Sequence, residues 1–263
     1  MLDAHPEIAI PAETQFYPDV IAVDERQDGW LDAVLAAITG NHTWGDFRMD
    51  AGAFERDVRA SNPANRGDVL RTFYRSYAAR FGKHAWGDKW PGNVVRMRDI
   101  AALLPEARFV HIIRDGRDVA ASLRDMWFRP GDTYEQCILL WAGRIRAAQE
   151  QADSALPYLE VRYESLVRAP RAALARICEF IEVSFDEAML AYHGNARARH
   201  EEVADWTFQG RFIPREQIVA VHGNTHRPPT PDRIGNWRRV MSPADVLACQ
   251  HAAGDLLAEL GYR

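Results

Sequence analysis

Arg114 and Ser122 are the pair of side chains whose placement points most directly to chemistry. A guanidinium fork and a hydroxyl facing one crevice can hold a phosphate between them. What would bring them there is the run RFVHIIRDGRDVAASLRDMWF, Arg108 to Phe128. Phe109, Val110, Ile112 and Ile113 form a short apolar stretch of the kind found in a strand buried on both faces of a parallel sheet. The stretch stops at Arg114. Asp115, Gly116, Arg117 and Asp118 suit a turn and a helix start, and Val119, Ala120, Ala121, Leu123 and Met126 resume at helical spacing. A strand, tight turn and helix joined this way lie at the carboxyl edge of an open α/β sheet, where ligands bind. The same residues also carry plainer readings, in which Arg114 pairs with Asp115 or Asp118 and Ser122 bonds back to its own helix.

The elements around this run alternate. A short strand at Ile8 to Ile10 turns out through Pro11 to Thr14, and Trp30, Leu31, Val34, Leu35 and Ile38 keep helical spacing up to Gly40. The segment from His42 to Arg66, polar with Trp44, Phe47 and Phe54, reads as part of a lid or acceptor wall. Leu70, Phe73, Tyr74, Tyr77, Ala78 and Phe81 mark an amphipathic helix whose aromatic stripe is core. A helix from about Asn93 to Leu104 precedes the organising strand, and Ile138, Trp141, Ala142 and Ile145 mark the next helix. Tyr158 to Val161 gives a second buried strand, followed by a helix through Leu174, Ile177, Cys178 and Ile181. Ser184 with Glu187, and Ser242-Pro243 with Asp245, have capping-box spacing. Between them, Gly194 to Arg239 reads as one long, poorly periodic loop of a functional or mobile kind. Strands and helices in alternation predict an α/β fold with a parallel sheet flanked by helices, in one domain over residues 1–263.

Composition narrows the partners. Of the 263 residues, 47% are apolar and 26% charged, and the net charge of -5 argues against a partner bound through many nucleic-acid phosphates. No apolar run approaches the ~18 residues of a membrane span, and the first residues lack a signal pattern, so a cytoplasmic protein is expected. Cys137, Cys178 and Cys249 are far apart, without C-x-x-C, and read as reduced packed thiols. The nine histidines show no metal-ligand spacing, and no metal is expected.

The R-D-G-R-D-V-A-A-S run after an apolar strand resembles the 3'-phosphate-binding motif of sulfotransferases that use PAPS, 3'-phosphoadenosine-5'-phosphosulfate. Other segments resemble the tyrosylprotein and bacterial branch of that family, in the family's order. They are DAHPEIAIPAET (Asp3 to Thr14), GDKWPGN (Gly87 to Asn93), VRYESLVRAP (Val161 to Pro170), IGNWRR (Ile234 to Arg239) and a closing helix ending LAELGYR. The resemblance implies the P-loop nucleotide-hydrolase-like sulfotransferase fold, three layers around a parallel sheet, and transfer of a sulfuryl group from PAPS. It implies Glu13 as general base, matching the glutamate before threonine in a G-E-E-T segment whose first glutamate is Ala12 here. It implies Lys89 at the bridging oxygen and leaving phosphate, Arg114 and Ser122 at the 3'-phosphate, and Tyr163 against the nucleotide.

Departures from the family pattern matter as well. Asn236 stands where the tyrosylprotein branch has lysine, with Arg238 as the substitute, and Met126 replaces an arginine. The family's P-R-S-G-T-T loop, which cradles the 5'-phosphosulfate, does not occur, and the opening residues resemble the tail of the helix that follows it. The first strand and that loop are therefore expected to be missing. His111 lies inside the strand and is expected to be packed and hydrogen-bonded. The acceptor is expected to be a hydroxyl, or an amine, on a sugar, lipid, small molecule or tyrosine peptide, with no choice among them. Two other readings stand beside this one: a P-loop kinase in which Asp115 holds magnesium, and a non-catalytic remnant that binds nucleotide weakly.

Overall fold

The computed structural model describes residues 1–128, 130–152 and 156–263. In chain order the elements begin with β1 (Ile8–Ala9), α1 (Tyr17–Ala22), α2 (Trp30–Thr39), α3 (Ala51–Ala60), α4 (Arg66–Ala79), β2 (Ala85–Trp86) and α5 (Met97–Leu103). Then come β3 (Phe109–Ile113), α6 (Gly116–Arg124), α7 (Tyr134–Gln151), β4 (Tyr158–Arg162), α8 (Tyr163–Arg168) and α9 (Pro170–Phe180). The chain closes with α10 (Ala196–His200), β5 (Trp206–Phe208), β6 (Arg211–Ile213), α11 (Arg215–Val221), α12 (Trp237–Val240) and α13 (Pro243–Glu259). It divides into two compact units, one of residues 1–107 with 185–228, the other of 108–184 with 229–263. The expected α/β class with parallel strands holds, each parallel sheet being a two-stranded pair among the described residues.

In the first unit β1 pairs with β2 in parallel, Ile8 opposite Ala85 and Ala9 opposite Trp86. Two residues make a weak strand, and side chains reinforce it. The Asp3 carboxylate accepts from the Ile10 amide at 2.9 Å, Lys83 donates to the Ile8 carbonyl at 2.9 Å, and Arg199 donates to the Ile10 carbonyl at 3.0 Å. The D-A-H-P segment is therefore a brace for the strand that follows it. The core is aromatic, with Phe73 of α4 meeting Phe16 and Phe47 edge-on at 5.1 and 5.0 Å and Tyr74 stacked on Trp86 at 4.6 Å. Phe47 and Phe54 are fully buried there. The segment expected to be a lid or acceptor wall thus gives these aromatics to the core, α3 and a short 3-10 turn supplying the framework.

The long loop expected from Gly194 onward is mostly structured. It holds α10, α11, α12 and an antiparallel hairpin of β5 and β6. Gln209 and Gly210 both have positive φ, 51° and 75°, the geometry of a two-residue hairpin turn. Trp206 and Phe212 on its strands are too few to register as a period.

In the second unit β3 pairs in parallel with β4, Phe109 opposite Tyr158 through Ile113 opposite Arg162. The expectation of strands buried on both faces is not met. Ile113 and Val161 are buried, but Ile112, which alternation puts on the opposite face from Ile113, is 42% exposed, and among the described residues β3 pairs with β4 alone. Packing concentrates instead on the helix side, where Ile113, Ala120, Ile138, Trp141 and Leu256 share one cluster. Asp245 and Ser242 form the expected capping box of α13, while at Ser184 the cap falls to Asp186, which accepts from the Ala188 amide. The three cysteines are buried and form no disulfide.

Candidate active site

The expected functional residues fall into two sets, one in each unit, and parallel register brings Glu13 to Lys89 in one and Arg114 to Tyr163 in the other. Parallel strands leave a sheet from the same edge, so residues a few positions beyond paired strand ends come together. Beyond β1 and β2, the Lys89 ammonium meets Glu13 Oε1 at 2.5 Å. Gly87 permits the approach, since a Cβ there would stand 2.8 Å from the Ile10 side chain. Glu13 Oε2 receives only a long 3.4 Å contact from the Gln15 amide. One carboxylate oxygen is therefore committed to a cation and the other is nearly unclaimed.

Two further residues neighbour this pair: Asp88, which the sequence offered as a possible partner for Lys89 but which bonds Asn93 instead, and His222, which was not foreseen. Asp88 accepts from the Asn93 amide at 2.6 Å, and burial pushes its carboxyl up to about 6. His222, at the end of α11, is held down to about 4 by burial and by the Lys89 ammonium, with Glu13 opposing, so it stays neutral at neutral pH. The sequence carried no signal for His222, which lies outside every segment of known resemblance.

In the second unit, pairing of Ile113 with Arg162 puts the next residues, Arg114 and Tyr163, at one edge. The Arg114 guanidinium stacks on the Tyr163 ring at 4.6 Å and donates to the Arg233 carbonyl at 2.6 Å. It lies 3.7 Å from Asp118, a long pair, and its Nε is buried without a partner. An orphaned donor on a 19% exposed guanidinium fits a seat for an anion. Ser122 lies two turns along α6, half-buried. Arg238 stacks over Trp237 at 4.3 Å.

The acidic residues of R-D-G-R-D have structural duties. Asp115 caps α6 and takes Arg117 in a two-pronged pair at 3.0 and 2.8 Å, so both its oxygens are occupied and it is not placed to hold magnesium. Asp118 accepts from the Gly235 and Trp237 amides at 2.8 and 2.9 Å, which ties the late G-x-W segment to the helix start. Gly116 is glycine because a Cβ would sit 2.5 Å from the Trp141 ring. His111 is bonded to the Tyr158 hydroxyl at 2.6 Å, in keeping with a packed residue. Among the described residues no cluster of three or more His, Cys, Asp or Glu could hold a metal, and no helix is long and apolar enough to cross a membrane.

With this geometry in view, the comparisons with known proteins agree on a family. The profile of the Sulfotransferase family matches residues 1–187, and the chain belongs to that family. It is 25% identical over 277 residues to protein-tyrosine sulfotransferase A of Caenorhabditis elegans, a match covering 100% of this chain and 62% of that protein. It is 27% identical over 277 residues to nodulation protein NoeE of Sinorhizobium fredii, covering 94% of this chain and 61% of that protein. The chain thus spans about three-fifths of the length of these relatives. Among solved structures, the sulfotransferase domain of the Synechococcus PCC 7002 olefin synthase superposes with a TM-score of 0.54 at 20% identity, covering 96% of this chain and 87% of that one. The sulfotransferase domain of the curacin biosynthetic pathway gives 0.57 at 16% identity, covering 97% and 90%. The fold is of the sulfotransferase type.

Proposed function

We propose that this protein transfers a sulfuryl group from PAPS to a hydroxyl acceptor. What supports the reading most is the meeting of Glu13 and Lys89, 76 residues apart in sequence, at 2.5 Å. The two have the residue types that in-line sulfuryl transfer needs, a base for the acceptor and a cation for the leaving phosphate. Glu13 Oε2, the oxygen that Lys89 leaves unclaimed, takes the acceptor proton. Lys89 follows the negative charge that develops on the leaving phosphate, a task for a compact ammonium. Arg114 and Ser122 hold the 3'-phosphate, Tyr163 lines the nucleotide, and Arg238 supplies a further cation. PAPS brings a sulfonate with a single negative charge, so positioning and electrostatics carry the reaction with no metal. The protein-tyrosine sulfotransferases among its relatives make a tyrosine hydroxyl one acceptor to try, beside sugars and lipids.

The test is radiolabelled transfer from PAPS to a panel of tyrosine peptides, sugars and phenols by the full-length protein. Transfer by the wild type, with Glu13→Gln slower by roughly 10²- to 10⁴-fold and unchanged in nucleotide binding, is the expected result. Turnover unaffected in Glu13→Gln removes Glu13 from the mechanism. Magnesium-dependent ATP turnover without sulfuryl transfer overturns the reading.

A further inference from the structure

We infer that Asp88 is a positioning residue for the Glu13–Lys89 pair, its buried carboxyl anchoring the underside of the loop so that Lys89 is directed outward to Glu13. The inference rests on the proposed role of that pair. Its starting point is the division of labour between two acidic groups near one ammonium. Asp88 is the nearer in sequence, yet Lys89 goes to Glu13 at 2.5 Å while the Asp88 carboxyl takes the Asn93 amide at 2.6 Å. The bond from Asn93, five residues on, closes the loop that carries Lys89.

Three polar atoms around this anchor are buried without an aligned partner: Asp88 Oδ1, Asn93 Oδ1 and Thr14 Oγ1. They belong to residues beside, or bonded to the neighbours of, the two proposed catalytic groups. Orphaned acceptors are costly in a stable core. The Thr14 hydroxyl, like the Asn93 amide, acts as a donor toward Asp88 and so favours its charged form. Burial outweighs these two bonds and favours the neutral form, pushing the carboxyl up to about 6, with Glu13 acting the same way and Lys89 against it. The other groups facing Asp88 are the hydroxyls of Tyr17 on α1 and Tyr74 on α4, themselves bonded at 3.0 Å and raised by burial. A neutral Asp88 does not compete with Glu13 for the ammonium. A charged one does, so ionisation at this buried position weakens the pair that the reaction uses.

The experiment compares Asp88→Ala and Asp88→Asn with wild type in the full-length protein, measuring kcat and KM for PAPS and acceptor from mildly acid to mildly alkaline pH, with affinity for adenosine 3',5'-bisphosphate as a separate readout. Asp88→Ala is expected to lower kcat by about 10- to 100-fold, the scale of a small misplacement of a reacting group, with nucleotide affinity unchanged. Asp88→Asn, which keeps the shape and the amide network, restores most of the rate, and its kcat profile lacks the wild-type inflection at about 6. Wild-type kcat in Asp88→Ala, or a profile in Asp88→Asn that keeps the inflection, overturns the inference. A wild type with no sulfuryl transfer defeats the proposed function instead. Asp88 is then judged by the Lys89 side-chain NMR resonance, which Asp88→Ala and Glu13→Gln should displace alike; a resonance unmoved by Asp88→Ala sinks the inference by itself.

Discussion

Arg114 and Arg117 stand one turn apart and have unlike duties, which their partners decide. Arg117 is buried, forked onto Asp115 and stacked on Trp237 at 4.1 Å, with a further bond to the Arg263 carbonyl. Its role is structural. Removing one member of a buried pair leaves an uncompensated charge, so Arg117→Ala should cost about 3–5 kcal/mol in urea unfolding. Arg114 keeps an unsatisfied Nε and partial exposure, so Arg114→Ala should fold normally and weaken adenosine 3',5'-bisphosphate binding by roughly 10- to 100-fold, the scale of a lost hydrogen bond to a charged group. A calorimetric titration checks this, and equal affinities in the two proteins would move the anion seat elsewhere. The sequence singled out Arg114 at the strand end, but it gave no sign of the structural duty of Arg117. What separated them was the Gly-x-Trp loop, which brings Trp237 over one of them, and no local spacing announces that contact.

At the scale of elements, both proposed sets of residues are products of strand register. Ile113 opposite Arg162 makes neighbours of Arg114 and Tyr163, and Ala9 opposite Trp86 brings the loops of Glu13 and Lys89 to one edge. β1, β3 and β4 were legible as short apolar runs, whereas β2, two residues long, was not foreseen. The pairing was not legible, since register depends on which run finds which. The β5–β6 hairpin was missed because its strands are three residues long and half exposed, leaving little periodicity to read. It is held by Asp46, which accepts from the Ala204 amide at 2.7 Å and the Trp206 indole at 3.1 Å. Burial lifts the Asp46 carboxyl from 3.8 to about 6. A carboxyl raised on folding binds its proton more tightly in the native state, so its contribution to stability is complete below the unfolded value and is lost as pH rises through about 6. Stability measured by urea should therefore fall from acid to neutral pH less steeply in Asp46→Asn than in wild type. The capping box of α13 gives a simpler expectation: Ser242→Ala should lose about 1 kcal/mol.

For the molecule as a whole, the distribution of residues separates two phenotypes. Glu13, Lys89 and Asp88 lie in one compact unit, Arg114, Ser122, Tyr163 and Arg238 in the other. Substitutions in the first set should change turnover at constant nucleotide affinity, and those in the second should change affinity first; a kinetic survey in which the two sets behave alike would refute this division. The net charge of -5 leaves any attraction for the anionic nucleotide to local cations, so affinity should decline with salt only as far as a few contacts allow. The half-covered β3 strand has a consequence for handling the protein in concentrated solution. Among the described residues no strand pairs with the far edge of β3, and such an open edge beside the exposed Ile112 invites a second molecule to dock by mutual strand addition. Light scattering of stored samples should therefore rise with protein concentration, and a lysine at position 112 should suppress that self-association.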